Sequence, residues 1–248
     1  MKRNFKYFTL SLVLMLVSGL ASCDDGKIYE KEYEPDTSGR VMKMNGEISG
    51  MTSWARGYSV VLAGFNDESE YAIITKVIPA PKVDGGKVEV VMSGIPRDVT
   101  NLHLCVINRS RELIHSYQSI KCEDRSDKDT IYMKDIHQNV NMYDAIQEEV
   151  FNDDEYGCIR CHGARESLAG GVNLLTGKSY NSLMGRNSGV ATDTLIVNPG
   201  NSKASTLYLL LGTEFGAGLK YNHANILINS YADIALVRDW IDYGANEK

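Results

Sequence analysis

The period of the apolar pattern changes once along this 248-residue chain, near residue 136, and that change constrains the fold more than any other feature. Before it, short runs rich in Val, Ile, Tyr and Leu alternate with polar residues and are bounded by Gly, Pro, Asn or Asp. That is the pattern of half-buried strands. Seven are predicted: Val41–Ile48, Tyr58–Ala63, Tyr71–Ile78, Lys87–Met92, Leu102–Ile107, Leu113–Ile120 and Thr130–Met133. Asp84-Gly85-Gly86 and Asn108-Arg109-Ser110 read as turns between them. After residue 136 the apolar residues recur at helical spacing: Tyr143, Ile146 and Val150, then Leu207, Leu210 and Leu211, then Ile234, Val237 and Ile241. Ser230 with Asp233 looks like a capping box, and Gly244 a helix stop. The expected architecture has two domains. Residues 41–135 form an all-β antiparallel sandwich, immunoglobulin-like or similar, and residues 136–248 form an all-α domain.

Within the helical part stands Cys158-Ile159-Arg160-Cys161-His162. C-x-x-C-H is the attachment signature of c-type haem. Two thiols three residues apart reach the two vinyl groups along one porphyrin edge, and the adjacent histidine is held under the iron. The expected cofactor is one covalently bound haem c. Cys158 and Cys161 are its thioether residues and His162 is its proximal ligand. Zinc bound by Cys158, Cys161, His162 and His223 is an alternative by ligand type. Adjacent Cys161 and His162 point in different directions, which works against a single tetrahedral ion.

The N-terminus suits an extracytoplasmic cofactor. Lys2, Arg3 and Lys6 precede the apolar run Phe8–Val17, which is short for a membrane span and reads as a signal peptide over residues 1–22. It ends at Leu20-Ala21-Ser22-Cys23, which resembles a bacterial lipobox with Cys23 the lipidated residue. Residues 23–40 read as an acidic tether, and Asp24-Asp25 resembles the surface-export signal of Bacteroidetes lipoproteins. This implies a lipid anchor in the outer membrane, on its periplasmic or its outer face. The whole chain has 26 Lys and Arg against 32 Asp and Glu. Residues 1–22 hold three basic and no acidic residues, so their removal leaves 23 against 32, a net charge of −9. That balance argues against nucleic acid as a partner.

In the first part, His103 and His115 are placed across one hairpin. Cys105 and Cys122 are near enough in that hairpin to raise a disulfide, although the register does not set them opposite each other. Trp54 belongs to a strand core or to a binding face.

Residues 143–248 resemble the cytochrome c-like domains typified by the Planctomycete cytochrome c families. The blocks run in order: Cys158-Ile159-Arg160-Cys161-His162-Gly163, Gly170-Gly171-Val172-Asn173-Leu174, Ser179-Tyr180-Asn181-Ser182-Leu183-Met184, Val197-Asn198-Pro199-Gly200, Ser205-Thr206-Leu207-Tyr208 and Trp240-Ile241-Asp242-Tyr243-Gly244-Ala245. The resemblance implies that the first and last helices cross, with Ile146, Val150, Trp240 and Ile241 packing around the haem. It also implies a distal methionine in a Met-Pro element before the last helix. This chain has Lys220-Tyr221-Asn222-His223-Ala224 there instead. His223 is therefore the expected distal ligand, with Met184 the weaker alternative. Arg160, Lys178 and Arg186 are candidates for propionate contacts. Gly216-Ala217-Gly218 lacks the context of a nucleotide loop and reads as an approach to His223.

The expected function is electron transfer with a redox protein partner, without enzymatic activity. The competing readings are a surface lipoprotein whose sandwich binds a glycan or protein, and a haem enzyme with an open distal position.

Overall fold

The computed structural model describes residues 39–122, 130–163, 168–212, 215, 219 and 221–248. Cys23, the signal segment, the tether up to residue 38 and Gly216-Ala217-Gly218 lie outside the described residues. Residues Asp36–Lys248 form one compact unit.

Seven strands form at the predicted places: β1 Arg40–Ser49, β2 Ser59–Phe65, β3 Ile74–Val77, β4 Lys87–Ile95, β5 Asn101–Ile107, β6 Leu113–Lys121 and β7 Thr130–Asn139. They make two sheets, ordered β4-β1-β7 and β3-β2-β5-β6. The expected all-antiparallel sandwich, immunoglobulin-like or similar, is corrected in its strand directions, and of the topologies left open the immunoglobulin one does not form. β1 pairs with β7 in parallel. Its other neighbour is β4 rather than β2, which is not the immunoglobulin order. Asp84-Gly85-Gly86 accordingly lies between strands of different sheets. It hooks onto the end of β1, with Gly85 N donating to the Ile48 carbonyl and Asp84 Oδ1 accepting from Gly50 N.

The parallel pair carries a bulge. Met44 faces Met133, but Gly46 faces Ile136, so β7 holds one extra residue there, with Asp135 at φ 53°. Gly46 is required by this close approach, because a Cβ at that position would stand 2.3 Å from the Ile136 carbonyl oxygen. Arg40, buried at the start of β1, donates to the carbonyls of Pro96, Val99 and Cys122.

Inward residues of both sheets, such as Met42, Met44, Val90, Leu62, Leu104 and Ile131, share one core. The outer face of the second sheet buries a smaller cluster of Val61, Ala63, Phe65, Ala72, Cys105 and Ile107. Cys105 and Cys122 are buried in different clusters, one in each, and no disulfide joins them. Nor do the two histidines face each other. His103 lies opposite Ser119 and bonds Ser116 Oγ at 2.7 Å, whereas His115 lies opposite Val106 and bonds Glu149 at 2.5 Å. Trp54 is core, and its indole donates to the Val140 carbonyl.

The expected all-α domain is also corrected: the molecule is mostly β, with short helices. After β7 come α1 Met142–Ile146, α2 Cys158–His162, α3 Ser179–Leu183, α4 Thr206–Gly212 and α5 Tyr231–Asp242. The longest has 12 residues. α1 continues as a π-turn over Gln147–Phe151. Glycines with positive φ at 157, 170, 171, 177, 185 and 200 interrupt the helical periodicity, and loops and isolated bridges occupy the space between. Helices this short are marginal in water and persist through packing. Here they pack on the sheets' own core, because Ile146, Val150, Trp240 and Ile241 belong to the same buried cluster as β1 and β5.

α1 and α5 do meet, with the Tyr143 and Trp240 rings 5.0 Å apart. The capping box at Ser230 does not form. The Tyr156 hydroxyl reaches both members instead, at 2.6 Å from Ser230 Oγ and 2.6 Å from Asp233 Oδ2. No helix of the described residues is long and apolar enough to cross a membrane.

Candidate haem site

The motif occupies the whole of α2. The chain reaches it through a turn built on Asp153, whose carboxylate accepts from the Glu155 and Tyr156 amides, and through Gly157 at φ +64°. It leaves at Gly163, where a Cβ would meet the Ile159 carbonyl at 2.3 Å. At positions i and i+3 the two cysteines share one side of the helix. Both are free thiols. Cys158 is partly buried, with Sγ 3.4 Å from the Val150 carbonyl, and burial pushes its thiol up to about 11. Cys161 is exposed.

His162 is held from two directions by one segment. Its Nδ1 lies 3.3 Å from the Val172 carbonyl, and its own carbonyl accepts from Leu174 N at 2.7 Å. A ring that donates from Nδ1 to a carbonyl keeps the lone pair on Nε2, and that is how proteins orient a metal-ligating imidazole. The 171–174 segment is itself clamped. Gln147 donates to the Leu174 carbonyl, Ser182 accepts from Asn173 N, and Arg186 donates to the Gly171 carbonyl.

His223 opens a 3-10 turn, His223–Asn225, that is capped by Asn222. The structure brings it to His162, with ring centroids 6.2 Å apart and planes at 42°. Its Nδ1 is buried and makes no hydrogen bond of normal geometry. Burial, followed by the neighbouring His162, lowers its pKa, while the Tyr221 backbone works weakly the other way. A neutral ring is the form that binds metal.

The other sequence candidates stand apart from this pair. Met184 follows α3, bridges to Val197 and packs against the core. Arg160 turns back to the Asp154 carbonyl at 2.8 Å, and Lys178 is exposed at the start of α3. Arg186 braces the loop that holds His162. Among the described residues no group of three or more His, Cys, Asp or Glu side chains gathers as a metal site, so the zinc arrangement is not formed.

Sequence reasoning missed the clamp. The acceptor for His162 is a backbone carbonyl, which leaves no mark in residue type. Gln147 reads as one polar position on a helix, yet it is buried with Ser179 and Tyr143 in a single network. No protein-family model matches the chain, and no curated protein shows significant similarity to it.

Proposed function

We propose that this chain is a lipid-anchored monohaem c-type cytochrome that passes electrons to and from a protein partner. The observation that carries the reading is the pair of neighbouring imidazoles, 6.2 Å between ring centroids, at a C-x-x-C-H helix. When bound, haem c supplies a one-electron iron couple. The chain's own residues do the rest. Cys158 and Cys161 would hold the group covalently to α2, each by adding its S–H across a vinyl group to give a thioether. His162 presents Nε2 because the Val172 carbonyl occupies Nδ1–H. His223, whose ring lies beside that of His162, would be the second residue to hold the iron, and burial favours the neutral form of its ring.

With His162 and His223 both holding the iron, the haem would supply electron transfer and would leave no site for oxygen or peroxide, which favours a carrier over an enzyme. Replacing thioether by imidazole also sets the potential lower than His/Met ligation. In this reading Cys23 holds the protein to the outer membrane through its lipid.

The test is an absorption spectrum of protein purified from its native host, before and after acid–acetone extraction. A Soret band that stays with the polypeptide is expected. Colour that moves into the solvent, or no band at all, overturns covalent attachment. Carbon monoxide binding to the reduced protein overturns the two-histidine arrangement.

A further inference from the structure

An open cleft of about 570 Å³, which none of the haem candidates lines, lies where the 55–58 segment, the β5–β6 turn at 108–110 and α5 come together. It is lined by Arg56, Arg109 and Arg238 and by two carboxylates, Asp239 and Asp242. Three cations against two anions is a reversal in a chain that holds 26 basic and 32 acidic residues.

The carboxylates are already engaged. Asp239 accepts from the Tyr58 hydroxyl at 3.1 Å and from Arg238 Nε at 2.7 Å. Asp242 accepts from Ser202 N at 2.7 Å and from Ser202 Oγ at 3.0 Å. Arg56 and Arg109 have no hydrogen-bond or ion-pair partner among the described residues. Arg109 lies across Gly57, where a Cβ would stand 2.9 Å from its Nε, so the missing side chain makes room for it at the cavity wall. Tyr58, its ring 5.5 Å from Trp54, and the half-exposed Tyr243 also line the cleft.

We infer that this cavity binds a small hydroxylated carboxylate of the sugar-acid class. The free guanidiniums of Arg56 and Arg109 take the carboxylate, and the tyrosines cover the apolar ring face. Guanidinium forks match carboxylate geometry, and an aromatic face suits the C–H side of a pyranose. The volume is within the range of small-ligand sites. The inference does not depend on haem.

Calorimetric titration of the full mature protein with galacturonate, glucose and inorganic phosphate tests it. Saturable binding of galacturonate, at least tenfold tighter than glucose and phosphate, is expected. The Arg56→Ala/Arg109→Ala variant should lose at least tenfold in affinity and keep the parent melting temperature, since both residues are exposed. Binding of glucose as tight as galacturonate, binding of phosphate alone, or a double variant that binds like the parent overturns the site. A Cys158→Ser/Cys161→Ser variant that still binds galacturonate separates this outcome from the fate of the haem reading.

Discussion

Residues 40–139 and residues 140–248 are held together by different kinds of bond. In the first region the backbone closes on itself through two sheets, and most strands need only their neighbours and an apolar face. In the second, regular elements are short and backbone groups are satisfied by side chains. Gln147 serves the Leu174 carbonyl, Ser182 the Asn173 amide, Ser205 the Asn198 amide and Asp242 the Ser202 amide. A region built this way has little order of its own to spare. It relies on the core it shares with the sheets and, in the proposed holoprotein, on two covalent links and two iron ligands. Such a region can bring two histidine rings within 6.2 Å of each other without burying them in a helix pair.

The largest expected effect separates the regions completely. Cys158→Ser/Cys161→Ser should abolish covalent haem, read by haemochrome assay, while the far-ultraviolet circular dichroism of the sheets persists. Loss of the sheet signal as well would show that the β region depends on the cofactor region. Trp240→Ala comes next. It removes a fully buried ring at the joint, for about 3–5 kcal/mol. Urea unfolding should remain a single transition, because both regions share one core; two separated transitions would break that view.

Gly46→Ala tests the sheet side. The added Cβ meets the Ile136 backbone at the bulge, and a loss of about 1–3 kcal/mol is expected by the same measurement. On the helical side, His223→Met should raise the midpoint potential, on the order of 0.1 V, and bring a ferric band near roughly 695 nm. An unchanged potential and spectrum would remove His223 from the iron.

The smallest effect concerns pH. Burial lowers the His103 pKa below its usual 6.5. Between that lowered value and 6.5 the unfolded chain binds a proton that the folded chain refuses. The contribution of neutral His103 is therefore full above 6.5 and is lost as pH falls through the window. Unfolding midpoints measured from pH 7.5 to 5 should decline less in His103→Gln than in the parent. Parallel declines would place the acid sensitivity elsewhere.

The strands were legible because their patterns are local signals: β4, β5 and β6 begin within a residue of their expected starts, and β4 alternates along most of its length. β7 was cut short at Met133 because its bulge at Asp135 breaks the alternation. The helices were misjudged in extent. Stripes such as Tyr143, Ile146 and Val150 do mark one buried face, but the glycines between such stripes divide the region into turns. At the site, His162 and His223 were both read from the chain, yet their approach depends on the 171–174 clamp and the turn at 223–225. Neither is written in residue spacing. The guanidinium-lined cavity was not legible at all, since its three segments come from a strand approach, a hairpin turn and the last helix.

By itself the sequence determined the seven strands, the apolar faces and the C-x-x-C-H geometry, because each rests on neighbours a few residues apart. Only the tertiary structure decided the parallel β1–β7 pairing, the merging of both regions into one core and the meeting of the two imidazoles. These are contacts between distant segments. Their stability comes from burying faces against each other, which no local pattern specifies.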